Sequence, residues 1–130
     1  MDDAERFKRG EAARRRVLGD EWVDRSAKNR NAFNAEWLDH ITRGAWNDVW
    51  TRPHLDDRTR RVLVIGTMVA LGQWDEFRLH VRAALTEGGF TPEDIKEILL
   101  QQAIYCGVPA ANHAVKEASA IVQELGLLKG

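Results

Sequence analysis

The sequence has a single cysteine, few prolines, no excess of charge of either sign and no long apolar run. Its one cysteine, Cys106, excludes an internal disulfide framework, so the reducing cytoplasm is the expected compartment. Its apolar stretches fall short of the roughly 20 residues of a membrane span, and the charged residues 1–16 lack the apolar core of a signal peptide. The net charge of −1 gives no reason to expect nucleic acid or a membrane as a partner.

Strand-like alternation of polar and apolar residues is also missing, whereas the spacing and punctuation of helices recur along the chain. Residues of about 3–18 are charged with a weak apolar side, which predicts a helix that ends at Gly19 and needs a partner surface. Apolar residues at i, i+4 and i+8 predict one face of a second helix, namely Phe33, Trp37 and Ile41.

The run VLVIGTMVAL, residues 62–71, is apolar on every side of a helix, which is typical of a buried helix. With about ten apolar residues it is too short to span a membrane. Asp56 or Asp57 can cap its beginning, and Gly72 predicts its end.

The second half of the chain predicts three further helices. Residues 73–89 carry an amphipathic stripe that ends at a pair of glycines. In the next helix Thr91 is placed to be the N-cap, with Pro92 at the first helical position and Asp94 at the third.

Gly107 and Pro109 interrupt the chain and begin a last helix with heptad-like apolar spacing. The last two long helices are expected to form an antiparallel pair across a three-residue connection. The prediction is an all-α, single-domain helical bundle of about six helices that covers residues 1–130.

His80 borders the apolar stripe of its helix, where a core histidine bonded to a backbone carbonyl is the common outcome. The functional interpretation is a general acid or base, because imidazole exchanges protons near neutral pH. Glu97 on the next helix is expected on the surface unless it faces His80 across the helix pair. A metal site built from His80, Glu97 and His113 matches no metal-binding spacing, so no metal is expected.

The segment AIYCGVPAANHA, residues 103–114, resembles half of a thiol redox site, Cys-x-x-Cys-x-x-x-His. Cys106 and His113 occupy two of its positions, but Pro109 stands where the second thiol belongs. Without that second thiol no local disulfide can form. A buried, structural Cys106 is the leading interpretation, and a reactive thiol at the following helix N-terminus is the alternative.

Three strings together resemble the carboxymuconolactone decarboxylase family: AWNDVWTRPHLDDRTR, FRLHVRAAL and TPEDIKEILLQQAIYCGVPAANHA. The resemblance covers roughly residues 10–126. It implies an alkylhydroperoxidase D-like fold, homo-oligomers that are often trimers or hexamers, and no cofactor. It also implies an activity, the decarboxylation of γ-carboxymuconolactone to β-ketoadipate enol-lactone and CO2 in protocatechuate catabolism.

The same resemblance implies a polar centre of His80 and Glu97, in which His80 is the proton donor or oxyanion partner and Glu97 orients it. Arginines pair well with carboxylates, and Arg52 and Arg82 are the first candidates to hold the substrate's side-chain carboxylate. Further candidates are three tryptophans as pocket walls and one tyrosine as an extra donor: Trp46, Trp50, Trp74 and Tyr105. For the tryptophans, a core or interface role is an equal alternative.

Two other functions stay open. Redox members of the wider superfamily carry the complete Cys-x-x-Cys-x-x-x-His signature, so a thiol-dependent peroxidase or reductase that uses Cys106 is one alternative. A non-enzymatic helical interaction module is the other, because the first 50 residues are rich in aromatic side chains. Within the family, another small unsaturated lactone or keto acid could replace the substrate.

Overall fold

The computed structural model describes residues 1–129, and within them it contains α-helices and one π-helical turn but no strand. The all-α prediction is therefore confirmed, with seven α-helices in this range in place of about six. In chain order they are α1 (Asp3–Leu18), α2 (Asp20–Ala27), α3 (Ala35–Ile41), the π turn (Thr42–Asn47), α4 (Asp57–Leu71), α5 (Trp74–Thr86), α6 (Pro92–Cys106) and α7 (Val108–Glu124). Across residues 1–129, none of the helices is long and apolar enough to cross a membrane.

The chain forms two compact units, Met1–Asp57 and the residues from Arg58 onward. In the first unit, α1 begins where the Asp2 side chain accepts a hydrogen bond from the Glu5 backbone N–H. It ends, as predicted, at Gly19, whose φ of 91° favours glycine. That these units form one domain of 1–130 stays a prediction.

Helix α1 packs against the π turn at Gly10. A Cβ atom on Gly10 would lie 2.0 Å from the carbonyl oxygen of Thr42, so the two backbones meet where no side chain fits. Arg6 strengthens the same contact, because its guanidinium binds the carboxylate of Asp48 just after the turn. The hydrogen bonds from Arg6 hold the pKa of Asp48 below its usual range.

The predicted helix face of Phe33, Trp37 and Ile41 is wrong at its first member. Phe33 precedes α3 and is 96% exposed. The local cause is the Asn31 side chain, which accepts hydrogen bonds from the backbone N–H groups of Phe33 and Asn34. These bonds form a turn in place of the helical ladder.

The second unit packs α5 against α7 and α6 against α7 around one apolar core. Its largest fully buried members are Ile65, Val69, Phe77, Val81 and Ile95. The capping box predicted before α6 is confirmed, since the side chains of Thr91 and Asp94 each bond the other's backbone N–H.

Two expectations for this unit are corrected. Helix α4 is not buried on every side: Ile65 and Val69 face the core, whereas Leu63 is 55% exposed, because the core covers only one stripe of the helix. The connection between α6 and α7 is one residue, Gly107, rather than three. Gly107 can make this turn alone because it adopts a φ of 94°.

Candidate functional site

His80 lies on the inner side of α5 and is only 7% exposed. Its Nε2 is 3.7 Å from Oε2 of Glu76, one turn earlier on the same helix, which is too long for a hydrogen bond. Its Nδ1 is buried with no hydrogen-bond partner in the described part of the chain. Buried polar atoms are nearly always paired in folded proteins, so this nitrogen makes His80 a candidate for binding a ligand.

Burial, and after it the positive charge of Arg61, lower the pKa of His80 from 6.5 to about 4. The imidazole is therefore neutral at pH 7. A neutral ring has one N–H donor and one acceptor nitrogen, and neither is committed to a hydrogen bond within residues 1–129. His80 can thus offer an N–H to a ligand oxygen.

Glu97 is exposed on α6, and no hydrogen bond or ion pair joins it to His80 within the described residues. It lines a cleft of about 540 Å³ between α4 and α6, together with Gly66, Gln101 and Gln102. The carboxylate beside His80 is that of Glu76, which the sequence pattern did not single out.

Cys106 is half-buried at the end of α6. The amide Nε2 of Gln102, one turn earlier, donates to its sulfur at 3.5 Å and to the carbonyl oxygen of Gly66 at 3.1 Å. Gln102 therefore ties the thiol to α4. This arrangement is that of a packed, hydrogen-bonded side chain.

Trp74 and His113 stack with their ring centroids 4.1 Å apart and their planes 6° from parallel. His113 also lies 3.3 Å from Glu117, whose other oxygen accepts a hydrogen bond from Arg78 at 2.9 Å. That bond lowers the pKa of Glu117 below its usual range. Trp74 and His113 thus belong to a polar and aromatic row that joins α5 to α7.

The remaining candidates of the second unit lie on its surface. The Arg82 guanidinium is paired with the carboxylate of Glu124 on α7. Tyr105 is 77% exposed near the end of α6. Neither side chain contacts His80 through a hydrogen bond or ion pair in residues 1–129.

Three of the candidates from the sequence come together in the first unit. Trp46 is buried and stacks on Trp50, with ring centroids 5.3 Å apart. Trp50 and Arg52 line an open cleft of about 490 Å³, which we call the arginine cleft. The π turn carries Trp46, and π-helical turns are frequent at functional sites.

Two other arginines of the arginine cleft were missed by the sequence analysis. Arg9 and Arg16 line it from α1, with Ala12 between them. Their spacing of i, i+3 and i+7 places the three residues on one face of a helix, which was a signal in the sequence. The signal was hidden because α1 carries many charges and nothing marked this face as special.

Metal ligation gains no support from these positions. Within residues 1–129, no group of three or more histidine, cysteine, aspartate or glutamate side chains is arranged to hold a metal ion.

A model described as the Carboxymuconolactone decarboxylase family matches residues 35–120 of this chain. The chain is 40% identical over 127 residues to 4-carboxymuconolactone decarboxylase of Acinetobacter baylyi, and the aligned region covers 98% of this chain and 94% of that relative. It is 37% identical over 109 residues to nitrosuccinic acid decarboxylase npaB of Metarhizium robertsii, which covers 84% of this chain and 76% of that relative. A 48-residue 4-carboxymuconolactone decarboxylase sequence of Pseudomonas putida is 46% identical over its whole length.

Proposed function

Because the chain belongs to the carboxymuconolactone decarboxylase family, we propose that it is a carboxy-lyase that decarboxylates γ-carboxymuconolactone to β-ketoadipate enol-lactone and CO2. The relative from Acinetobacter baylyi supports this choice of substrate, since the similarity extends over nearly the whole of both chains. The pathway would be protocatechuate catabolism.

The chemistry of this substrate provides its own electron sink. Loss of CO2 leaves an electron pair on the ring carbon next to the ring oxygen. The pair delocalises through the ring double bond into the lactone carbonyl and gives an oxyfuran-like dienolate. Protonation of the dienolate at the carbon next to the lactone carbonyl yields the enol-lactone. Because the lactone carbonyl accepts the electron pair, the reaction needs no cofactor for that purpose.

The second decarboxylase relative supports the same class of reaction. Nitrosuccinic acid is a dicarboxylic acid with a nitro group, which can accept the electron pair left by a departing CO2 just as the lactone carbonyl does. Both compounds therefore combine a carboxylate that leaves, a second carboxylate that stays and a built-in acceptor. We expect this chain to act on substrates that combine these three features.

The observation that carries the proposal is the buried, neutral His80 with an unpaired Nδ1. A fixed N–H donor in surroundings without water stabilises an oxyanion more than a donor in solution does. A pKa of about 4 leaves almost no imidazolium at pH 7. His80 is therefore better suited to be the oxyanion partner than the cationic proton donor.

The other site residues keep separate roles as proposals. In the first unit, Arg52 would hold a substrate carboxylate beside the ring of Trp50, which Trp46 supports by stacking. In the second unit, Glu97 would act as a polar group of the α4–α6 cleft. Three further candidates have weaker support because they lie in ion pairs, in an aromatic stack or on the surface: Arg82, Trp74 and Tyr105.

A homo-oligomer, a trimer or hexamer in the cytoplasm, is part of the proposal. An apolar groove of about 410 Å³ lies between α6 and α7 and is lined by Leu100, Val108 and Val115, which are all exposed. Ile104 is 76% exposed on the same helix as Leu100. Exposed apolar side chains in this number are typical of an interface, and a second copy of the chain is the proposed occupant. Light scattering of the purified protein tests this directly, and the mass of a single chain would contradict it.

The activity is tested by adding purified, chelator-treated protein to γ-carboxymuconolactone and following CO2 and the enol-lactone by NMR. Turnover supports the proposal. If the protein is folded and helical but does not turn over the lactone, the fold of the family serves another substrate in this chain.

A further inference from the structure

The arginine cleft has one wall from α1 and one from the segment that follows the π turn. Arg9 and Arg16 lie on the first wall, and Trp50 and Arg52 lie on the second. Helix α1 and the π turn that precedes the second wall are joined by the backbone contact of Gly10 with Thr42 and by the Arg6–Asp48 pair. These contacts hold the backbone of α1 against the π turn.

Within residues 1–129, no ion pair joins Arg9 to a carboxylate, in contrast to three other arginines of α1. Arg6, Arg15 and Arg16 each bind at least one aspartate or glutamate. The guanidinium of Arg9 has a single described contact, from its Nη1 to the sulfur of Met1 at 3.8 Å. Of the two α1 arginines that line the cleft, Arg16 is paired with Asp57, whereas Arg9 has no carboxylate partner within the described residues.

Arg16 contributes a second donor. Its Nε and Nη2 bind the two oxygens of Asp57 at 2.7 and 3.2 Å, which holds the guanidinium plane in place. Its Nη1 has no hydrogen-bond partner within residues 1–129. The cleft is lined by three arginines and by the aspartates Asp56 and Asp57, so one positive charge remains in excess.

We propose that the arginine cleft is a carboxylate-binding site, with Arg9 as its principal ligand and Arg16 and Arg52 as further donors. An excess of one positive charge matches one carboxylate. The planar guanidinium of Arg9 can bind both carboxylate oxygens. The ring of Trp50 provides an apolar surface for the carbon chain that carries the carboxylate.

This inference rests on the proposed function where it identifies the ligand as the substrate carboxylate that is retained. The charge of a departing carboxylate is localised in the ground state and dispersed in the transition state. An arginine would stabilise the localised charge more and so slow the reaction, whereas apolar surroundings would not. The retained carboxylate keeps its charge throughout the reaction. A cationic cleft therefore suits the retained group and not the leaving one.

The test uses adipate, an unreactive six-carbon dicarboxylate, as the probe and the indole N–H resonance of Trp50 as the reporter. Trp50→Phe identifies that resonance among the tryptophans. In the parent protein, adipate should shift the Trp50 resonance. In Arg9→Gln we expect the dissociation constant of adipate to rise roughly tenfold or more, since a charge-assisted hydrogen bond is lost.

Two further variants sharpen the result. Arg9→Lys keeps the charge but loses the planar pair of donors, so its affinity for adipate should fall between those of the parent and Arg9→Gln. Arg25→Gln is the matched control, because Arg25 is an exposed arginine of the same unit that lies outside the cleft. Its affinity should equal that of the parent.

The inference would be overturned if adipate did not shift the Trp50 resonance of the parent protein. It would also be overturned if the parent and Arg9→Gln bound adipate with equal affinity. Turnover distinguishes this failure from failure of the proposed function. If the lactone is converted, Arg9→Gln should raise KM with little change in kcat, as expected for a contact made equally in the ground and transition states. If the lactone is not converted, adipate binding still decides whether the cleft binds a carboxylate.

Discussion

His80 and Glu76 lie one turn apart on α5, with the imidazole Nε2 3.7 Å from the carboxylate Oε2. The resemblance to the family implied Glu97 as the carboxylate partner of His80, which stays a prediction. Glu76 is too distant to accept a hydrogen bond, and therefore it does not fix which ring nitrogen carries the hydrogen. His80 is left with a donor and an acceptor for a ligand, in a buried position.

Replacing His80 should separate donation of a hydrogen bond from transfer of a proton. We expect His80→Ala to lower kcat roughly 100-fold, the usual loss when an oxyanion donor is removed. His80→Gln retains an N–H donor and should recover part of that loss. Steady-state kinetics of both variants, with the exposed His40→Ala as control, provide the measurement. Parental kcat in His80→Ala would remove this residue from the mechanism.

Acid should destabilise the protein through His80. Its pKa is 6.5 in the unfolded chain and about 4 in the folded one, so the unfolded state binds more protons between these values. The stability contributed by keeping this ring neutral is present above pH 6.5 and is lost as the pH falls toward 4. From pH 7 to pH 5 the free energy of unfolding should fall by about 2 kcal/mol through this group.

Urea unfolding of the parent and of His80→Gln at several pH values measures this effect. The variant should show a shallower dependence on pH, because glutamine does not titrate. Parallel curves for the two proteins would mean that the folded pKa of His80 is close to its ordinary value.

Gly10→Ala should destabilise the first unit strongly. The added methyl group would lie 2.0 Å from the Thr42 carbonyl oxygen, a contact that only a shift of the backbone can relieve. We expect a loss of roughly 2 kcal/mol or more in the free energy of unfolding. Gly44→Ala is the matched control, because its methyl group would meet no atom within 4 Å. Equal stability of the two variants in urea would contradict the close packing of α1 on the π turn.

Cys106→Ser should turn over the substrate at the rate of the parent. The serine oxygen can accept the Gln102 hydrogen bond that the sulfur accepts now, so the local structure is retained. The rate of CO2 formation from γ-carboxymuconolactone is the quantity to compare. A large loss of rate in this variant would revive the thiol-dependent alternative.

Helix boundaries were predictable where one residue type decides the local backbone. Gly19 ends α1, and Thr91 with Asp94 begins α6, because a left-handed glycine and a capping box act over a few residues. The prediction that Phe33 lies on a helix face was wrong because the hydrogen bonds of Asn31 form a turn there despite the apolar spacing. The prediction that α4 is buried on every side was wrong at Leu63, because one sequence shows how apolar a helix is but not how much of it the core covers.

The sequence singled out some residues of the candidate site but not their arrangement. His80 was singled out by its place beside an apolar stripe, and its burial agrees with that. Its neighbour Glu76 and the arginine cleft depend on tertiary packing. Arg9 gains its significance only when Trp50 and Arg52 lie opposite it, some 40 residues later in the chain.

The most direct test of the central claim is turnover of γ-carboxymuconolactone in D2O by the chelator-treated parent protein, followed by NMR. The account predicts CO2 and an enol-lactone that carries one deuterium at the carbon next to the lactone carbonyl, because the dienolate is protonated there by a solvent-derived proton. Helical, folded protein that releases no CO2, or a product without deuterium at that carbon, would contradict it.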